Sequence, residues 1–268
     1  MLTDRAVERW LHEDVGHRDV TNDVPGETTA RLVATEAGVA AGVDAAVAVF
    51  NYLGVAADPI VTAGDRIEAG DTLLRVEGPV REVLRGERVA VNVAGHASGV
   101  ATATRRAVDA ARAVSDDVAV AATRKTTPGL RGVEKRAVAA GGGDTHRLDL
   151  SGMVMVKDNH VAELGLERAI ERFRERKSFA TKLEVEVEDP ADASRAAAAG
   201  ADIVLFDNLS PAAVRRGVDA LPAGVLAEAS GGIRLDDVPD YAATGTDVIS
   251  MGWLTHSAPA LDLSFRTG

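Results

Sequence analysis

Residues 183–208, LEVEVEDPADASRAAAAGADIVLFDN, contain one complete repeat of the pattern that decides the fold. A short apolar run, a helical segment and a second apolar run follow one another in this stretch. Asp189 before Pro190 predicts the start of the helix, and Gly200 predicts its end. Strand, helix and strand in this order form the crossover unit of a parallel β-sheet.

The same alternation recurs over residues 118–251, where short apolar runs predict strands and helical segments separate them. Six or seven such units predict an α/β fold, namely an open TIM-like barrel of fewer than eight strands. A doubly wound open sheet is the alternative. The predicted strands are 118–122, 153–156, 183–187, 203–206, 225–229 and 248–251, and residues 146–150 could add a further short strand.

The first hundred residues have a different pattern, which predicts a separate α+β unit. Residues 31–40 alternate like a strand, and turn signals punctuate residues 62–83. Residues 87–113 are helical in pattern, with a break predicted near the glycines at 95 and 99.

Composition excludes several classes of function. The chain has 41 acidic and 30 basic residues and a net charge of −11, which argues against nucleic acid binding. It has no cysteine, so disulfides, thiolate zinc sites and cysteine nucleophiles are excluded. No apolar stretch reaches the length of a membrane span, and the first twenty residues do not form a signal peptide, so we predict a cytoplasmic protein without membrane contact.

Lysine is scarce, with five residues in the whole chain, whereas acidic residues, arginine and alanine are abundant. An acidic, lysine-poor surface is typical of proteins that stay soluble at high salt, so we predict a halophile-like protein. A GC-rich genome, which favours Ala, Arg, Gly and Asp codons, is the alternative explanation.

Polar side chains follow nearly every predicted strand of the second half. The carboxyl ends of parallel strands meet on one face of a barrel, where the active sites of such folds lie. One polar residue after a strand is usually a turn or a helix cap, but six strands with polar ends indicate a site. These candidate residues are Thr123, Arg124, Lys125, Lys157, Glu186, Asp207, Ser230, Gly231, Gly232, Ser250 and Gly252, with His146 and Arg147 joining them.

The residue types at these strand ends point to anionic substrates. Guanidinium groups suit carboxylates and phosphates, and a Ser-Gly-Gly turn before a helix can hold a phosphate on backbone N–H groups. Glu186 and Asp207 could orient ribose hydroxyls or hold Mg²⁺ beside a pyrophosphate. We therefore predict a phosphorylated sugar substrate and a second, acidic substrate. Each element also has a plain structural explanation: Ser-Gly-Gly could be only a turn, and Glu184 with Glu186 could be solvated on an edge strand.

The run TRKTTPGLR at residues 123–131 identifies a family. Together with the segments named below, it resembles quinolinate phosphoribosyltransferase (nicotinate-nucleotide pyrophosphorylase, carboxylating) over nearly the whole chain. The further segments are EDVGHRDVT at 13–21, ERVAVN at 87–92, GGG at 141–143, His146-Arg147, KDNH at 157–160, EVEV at 184–187, LFDN at 205–208, ASGGI at 229–233 and ISMG at 249–252.

The resemblance implies an architecture and an assembly. It implies an N-terminal α/β sandwich domain over residues 1–103, to which residues 254–268 return, and an open α/β barrel domain over residues 104–253. It also implies a homodimer with a shared active site, in which the N-terminal domain of one subunit faces the barrel of the other. A hexamer built from such dimers is also compatible with it.

The resemblance also implies roles for individual residues. Arg124, Lys125, His146 and Arg147 match the quinolinate site, and Arg88 matches a residue that enters from the partner subunit. Lys157, Glu186 and Asp207 match catalytic positions that hold phosphoribosyl pyrophosphate and Mg²⁺. The turns Ser230-Gly231-Gly232 and Ser250-Met251-Gly252 match the binding site of the 5′-phosphate.

The chain departs from the family pattern at two positions. Ala122 stands where the family usually has aspartate, and Thr145 stands where it commonly has asparagine. The first could change how the loop of Arg124 is held. Neither departure removes a charge expected to touch a substrate.

The implied reaction joins quinolinate to phosphoribosyl pyrophosphate and gives nicotinate mononucleotide, pyrophosphate and CO₂. The nearest alternative is a related phosphoribosyltransferase, such as a nicotinate enzyme or the relative associated with molybdenum transport. More distant alternatives are a barrel lyase with Lys157 as a Schiff-base amine and a non-catalytic phosphate-binding module.

Overall fold

The structure is a computed structural model and describes residues 3–268 of the chain. These residues form two compact units. The first comprises residues 3–105, 126–142 and 254–268, and the second comprises residues 106–125 and 143–253. Residues 126–142, which the sequence analysis placed in the barrel domain, therefore group with the first unit. Their helix contacts the long helix of that unit, since the backbone of Gly141 packs tightly against Ala101 and Thr104.

The first unit is built on a four-stranded antiparallel sheet with the order β12-β1-β5-β3. The C-terminal strand β12 closes one edge, where Arg266 lies opposite Arg31 on β1. Strands β2 and β4 form a separate antiparallel pair in the same unit. The strands are β1 (Glu27–Ala34), β2 (Gly38–Val39), β3 (Ala56–Pro59), β4 (Arg66–Ile67), β5 (Thr72–Pro79) and β12 (Leu263–Thr267).

Helices cover this sheet and enclose an apolar core. Leu32, Leu74 and Phe50 are fully buried in it, and the ring of Phe50 stacks on Phe265 with 5.7 Å between centroids. Large buried aromatic and aliphatic side chains supply most of the hydrophobic stabilisation of such a core. The helices of this unit are α1 (Asp4–Val15), α2 (Val43–Tyr52), α4 (Arg131–Ala140) and most of α3 (Val80–Arg112), and α10 (Trp253–His256) leads into its final segment.

Helix α3 is continuous, so the break predicted near Gly95 and Gly99 is wrong. The two glycines allow the returning C-terminal segment to pack directly on the helix. A Cβ atom at Gly99 would lie 2.0 Å from the carbonyl oxygen of Pro259, and one at Gly95 would lie 2.9 Å from that of Leu261. Close backbone approach therefore explains these glycines.

The second unit contains a six-stranded parallel sheet with the order β6-β11-β10-β9-β8-β7. Strands β7 to β11 lie side by side in chain order. Strand β6, the first in the chain, lies beside the last one, β11, which is the strand order of a barrel. A doubly wound sheet would reverse direction. The sheet is not closed, so the prediction of an open α/β barrel of fewer than eight strands is confirmed. The strands are β6 (Ala119–Ala122), β7 (Val154–Val156), β8 (Leu183–Val187), β9 (Ile203–Asp207), β10 (Leu226–Ser230) and β11 (Val248–Met251).

A seventh strand is reduced to a single bridge. Asp144 pairs in parallel with Ala121 on the free side of β6, and no strand continues from it within the described residues. The further strand predicted at residues 146–150 is therefore wrong. His146 has a φ of 52°, in the left-handed region, which is incompatible with a regular strand at this point.

Helices connect the parallel strands as the sequence predicts. The Asp189 carboxylate accepts a hydrogen bond from the N–H of Ala191 at 2.9 Å, and the Ser210 hydroxyl accepts from the N–H of Ala213 at 3.4 Å. These helices are α5 (Asp158–Leu164), α6 (Leu166–Arg174), α7 (Ala193–Ala199), α8 (Pro211–Asp219) and α9 (Val238–Ala242), with 3₁₀ turns at Pro190–Asp192 and Leu235–Asp237. Within residues 3–268, no helix combines the length and the apolar character needed to cross a bilayer.

Candidate active site

A buried ionic cluster lies in the second unit, where His146 meets two carboxylates. Its Nε2 lies 3.2 Å from Oε2 of Glu228, a hydrogen bond, and 3.4 Å from Oε2 of Glu184. The side chains of Glu184 and Glu228 are 0% and 2% exposed. The Glu184 contact falls outside hydrogen-bond geometry, so both of its oxygens are buried without a hydrogen bond from any residue in the range 3–268.

This cluster favours a protonated imidazole. Burial lowers the pKa of His146, but the hydrogen bond and charge of the two carboxylates outweigh burial and raise it to about 10. Burial is also the largest influence on the pKa of Glu184 and raises it. His146 opposes that rise and the charge of Glu228 adds to it. An imidazolium therefore offsets part of the negative charge of the two buried carboxylates.

Arg147, the next residue, belongs to the same electrostatic group. Its Nη2 lies 2.9 Å from Sδ of Met155 on β7. Burial lowers the pKa of Arg147, and the positive charge of Arg124 lowers it further, while the carboxylates of Glu184, Glu186 and Glu228 oppose both. Two arginines close enough to repel each other create a strong local preference for an anion.

Lysine and carboxylate side chains are paired at the ends of the next strands. Lys157, directly after β7, donates a hydrogen bond to Glu186 on β8 through Nζ. Asp207 ends β9, and its Oδ2 accepts a 2.6 Å hydrogen bond from Nδ2 of Asn208. Because Glu186 lies opposite Leu205 in the parallel register, Glu186 and Asp207 belong to the same face of neighbouring strands.

The Ser-Gly-Gly turn has a conformation that requires glycine. Gly231 and Gly232 have φ values of 89° and 65°, in the left-handed region. A Cβ atom at Gly231 would lie 2.4 Å from Oδ1 of Asn208, so the turn packs against the end of β9. Because glycine has no side chain, the backbone N–H groups of Gly231 and Gly232 are not covered by side chains of their own at the strand ends.

The two predicted serines contact each other. The Ser250 hydroxyl donates to the Ser230 hydroxyl at 2.9 Å, and the Ser230 hydroxyl donates to the carbonyl of Ser250 at 3.2 Å. Both residues are buried between β10 and β11. Gly252 follows at the end of β11 and is partly buried. The serine hydroxyls therefore link the two strands on which the glycine turns are carried.

The loop after β6 begins in the second unit with Thr123, Arg124 and Lys125, where the Thr123 hydroxyl accepts from the N–H of Lys125 at 3.1 Å. It continues in the first unit, where a buried carboxylate holds it. The N–H of Thr127 donates to both oxygens of Glu134, at 3.2 and 3.1 Å. His96 Nε2 lies 2.9 Å from Glu134 Oε1.

Removal of this carboxylate is expected to destabilise the protein. Glu134→Ala would leave the N–H of Thr127 without its acceptor, at a cost of about 1–3 kcal/mol in the free energy of unfolding. Thr127 is two residues from Lys125, one of the predicted site residues, so we also expect a lower catalytic activity. Urea denaturation and steady-state assays measure the two effects. Arg136→Ala, on the exposed face of α4, is the matched control. Equal losses of stability and of activity in the two variants would contradict this role of Glu134.

Arg88 lies on α3 in the first unit, with a side chain that is 61% exposed. One guanidinium nitrogen lies 3.9 Å from a carboxylate oxygen of its neighbour Glu87. An exposed arginine on a helix is compatible with a solvated role and with a role in a second subunit. Its function therefore stays a prediction.

The buried positions of Glu184 and Glu228 do not follow from the sequence pattern. For Glu184 and Glu186 the plain alternative was a solvated edge strand, and this alternative is wrong, because β8 is an interior strand between β7 and β9. Glu228 is not among the predicted site residues, although a charged residue between Ala227 and Ala229 in an apolar strand is a signal for a buried function.

Taken together, the fold and these strand ends define a class. An open α/β barrel with arginines, a lysine, carboxylates and a glycine turn at its strand ends is an enzyme that acts on anionic substrates.

Comparison with known proteins gives the family. The sequence matches "Quinolinate phosphoribosyl transferase, N-terminal domain" over residues 18–98 and "Quinolinate phosphoribosyl transferase, C-terminal domain" over residues 100–266. The chain belongs to the quinolinate phosphoribosyl transferase family.

Individual relatives agree with this assignment. The chain is 44% identical to the probable nicotinate-nucleotide pyrophosphorylase [carboxylating] of Methanothermobacter thermautotrophicus, with 97% of each chain covered. It is 42% identical to the human nicotinate-nucleotide pyrophosphorylase [carboxylating], covering 97% of this chain and 90% of the human one. The structure of the nicotinate-nucleotide pyrophosphorylase from Francisella tularensis superimposes with a TM-score of 0.93 at 32% identity, covering 98% of this chain and 95% of that one.

Proposed function

We propose that the strand ends of the second unit carry out the reaction of this family. The chain is a decarboxylating pentosyltransferase: it converts quinolinate and phosphoribosyl pyrophosphate to nicotinate mononucleotide, pyrophosphate and CO₂ in NAD biosynthesis. Membership of the family over both of its domains supports the activity. The observation that supports the site is the convergence of Arg124, Arg147 and three carboxylates in one electrostatic group.

Quinolinate, a dicarboxylate, would bind at the cationic side of this group. Arg124 and Arg147 would each donate paired hydrogen bonds to a carboxylate, which is the geometry that guanidinium groups favour. His146 and Lys125 would add further donors beside them, and Thr123 would hold the backbone of Lys125 through its hydroxyl. Arg88 of the partner subunit would complete the pocket.

Phosphoribosyl pyrophosphate would bind along the neighbouring strand ends. Glu186 and Asp207 lie on one face of adjacent strands and would accept hydrogen bonds from the ribose hydroxyls. Lys157, now paired with Glu186, would turn to the pyrophosphate when it arrives. The backbone of Ser230-Gly231-Gly232 and of Ser250-Met251-Gly252 would hold the 5′-phosphate on its N–H groups.

The residues present fit Mg²⁺. Glu186 and Asp207 offer carboxylate oxygens, which Mg²⁺ prefers, and it commonly binds one or two carboxylates together with substrate phosphates and water. Bound there, Mg²⁺ would neutralise charge on the pyrophosphate.

The chemistry then follows from charge. Departure of pyrophosphate leaves positive charge on the ribose, and the negative side chains of Glu186 and Asp207 stabilise it. The pyridine nitrogen attacks C1′ and becomes quaternary. The adjacent carboxylate leaves as CO₂, because the positive nitrogen stabilises the electron pair left on the ring carbon, which then takes up a proton. The attacking nitrogen carries no proton, so this step needs no general base.

An assay of substrate choice tests this proposal. We expect stoichiometric release of CO₂ and pyrophosphate with quinolinate and little turnover with nicotinate, because a monocarboxylate leaves one arginine unpaired. Equal turnover with nicotinate would favour the related phosphoribosyltransferases. Activity without phosphoribosyl pyrophosphate, with a carbonyl substrate trapped on Lys157 by borohydride, would favour a lyase.

The oligomeric state, the cellular location and the adaptation to salt are also proposals. A homodimer would complete the pocket through Arg88, and a hexamer could be built from such dimers. A cytoplasmic location fits the metabolic role of the family. A halophile-like surface rests on the composition: of the five lysines, Lys135 is buried, Lys157 and Lys177 are paired with acidic residues, and Lys125 and Lys182 are exposed.

A further inference from the structure

The ionic cluster of His146, Glu184 and Glu228 contains two carboxylates that the reaction does not use directly. Both are carried by interior strands, β8 and β10, and are shielded from water. A buried, ionised carboxylate without a partner costs several kcal/mol, so residues of this kind persist in a fold when they serve a defined partner. The group they share is the Nε2 atom of His146.

The geometry determines which proton of His146 is engaged. Since Glu184 and Glu228 both approach Nε2, the hydrogen at Nε2 is directed to them. Nδ1 remains available for another partner, and it offers an N–H group only when the ring is doubly protonated. Other charged groups close to the ring are Arg147, the next residue, and Asp144, whose Oδ1 accepts from the backbone N–H of His146 at 2.5 Å.

We propose that Glu184 and Glu228 are positioning residues that hold His146 as an imidazolium, so that its Nδ1–H donates to a carboxylate of quinolinate. The proposal rests on the assignment of His146 to the quinolinate site. A neutral imidazole with its hydrogen on Nε2 would present a lone pair to the dicarboxylate and would repel it. The buried pair therefore converts a residue that is usually neutral at pH 7–8 into a donor for an anion.

The alternative occupant of the cluster is a divalent cation. One ligand atom from each of the three residues lies within 4.8 Å of the others, close enough to share an ion. The nearby guanidinium of Arg147, which interacts electrostatically with both carboxylates, already supplies positive charge. It disfavours a metal and leaves the imidazolium as the better match.

The first experiment separates the two substrates. Glu228→Gln keeps the shape of the side chain and removes its charge. We expect the KM for quinolinate to rise at least about tenfold, while the KM for phosphoribosyl pyrophosphate changes less than about twofold. Glu228→Asp should recover part of the loss. Glu188→Gln, an exposed residue just after β8, is the matched control and should resemble the wild type.

The second experiment observes the ring directly and does not depend on a variant that folds. Nitrogen-15 NMR of the wild-type protein should show both ring nitrogens of His146 protonated at pH 8. In Glu228→Gln the resonances should titrate at lower pH. A wild-type ring that is neutral at pH 8 would overturn the proposal.

Further outcomes separate this proposal from the proposed function. If His146→Gln leaves the KM for quinolinate unchanged, His146 is not in the quinolinate site and both statements fail. If His146→Gln raises that KM but Glu228→Gln does not, only the positioning role fails. A stoichiometric divalent metal that remains on the purified wild type and is lost from Glu228→Gln would also overturn the positioning role.

Discussion

Arg147→Ala is expected to lower kcat/KM for quinolinate more than tenfold, which corresponds to at least about 1.4 kcal/mol of lost transition-state stabilisation. The reason is that a charge-assisted pair of hydrogen bonds to a carboxylate is removed. Loss of this charge relieves its repulsion with Arg124 and also removes its attraction to the carboxylates of Glu184, Glu186 and Glu228, so stability is measured together with activity. Arg124→Ala is expected to behave in the same way.

Steady-state kinetics with both substrates varied, together with thermal unfolding, measure this effect. Arg168→Ala provides the matched control, because Arg168 is exposed on α6. Unchanged kcat/KM in both Arg147→Ala and Arg124→Ala would remove these residues from the site. A loss of kcat/KM accompanied by a large fall in the melting temperature would assign them a structural role.

The second large effect is a recovery of activity. If Arg88 serves the neighbouring subunit, Arg88→Ala and Lys157→Ala should each be inactive alone. In a mixed dimer, one site receives an intact Arg88 from the Lys157→Ala chain and keeps its own Lys157. Random exchange of equal amounts makes half of the dimers mixed, and each has one competent site. We therefore expect recovery to about a quarter of wild-type activity.

This recovery is measured as quinolinate-dependent pyrophosphate release after subunit exchange, with mixed dimers verified by mass spectrometry. A mixture of Arg88→Ala with Arg147→Ala should also recover, because Arg147 belongs to the barrel side of the site. A mixture of Lys157→Ala with Arg147→Ala should not, because both changes affect the same side. No recovery from verified mixed dimers would disprove the shared site.

The parallel sheet was predictable because its strands are short apolar runs with polar ends, and this pattern depends only on neighbouring residues. The strand that contains Glu184 and Glu186 shows the limit. Alternation places both side chains on one face. Whether that face is solvated depends on which strands lie beside it, which is a matter of long-range pairing.

The same limit applies to Gly95 and Gly99 in α3. A glycine within a helical pattern predicts a break when only helix propensity is considered. Here the loss in propensity is outweighed by packing, because the C-terminal segment, more than 150 residues later in the chain, lies against the helix at these glycines. Sequence distance hides such contacts from any local pattern.

The single bridge at Asp144 has a consequence for how a site of this kind can be built. Neighbouring residues of a strand face opposite sides, so a full seventh strand could direct only one of His146 and Arg147 toward the carboxylates of Glu184 and Glu228. Ending the strand after one pair, with left-handed backbone at His146, allows both side chains to interact with the same two carboxylates. The incomplete barrel thus lacks one row of backbone hydrogen bonds, and two adjacent side chains instead interact with the same buried carboxylates.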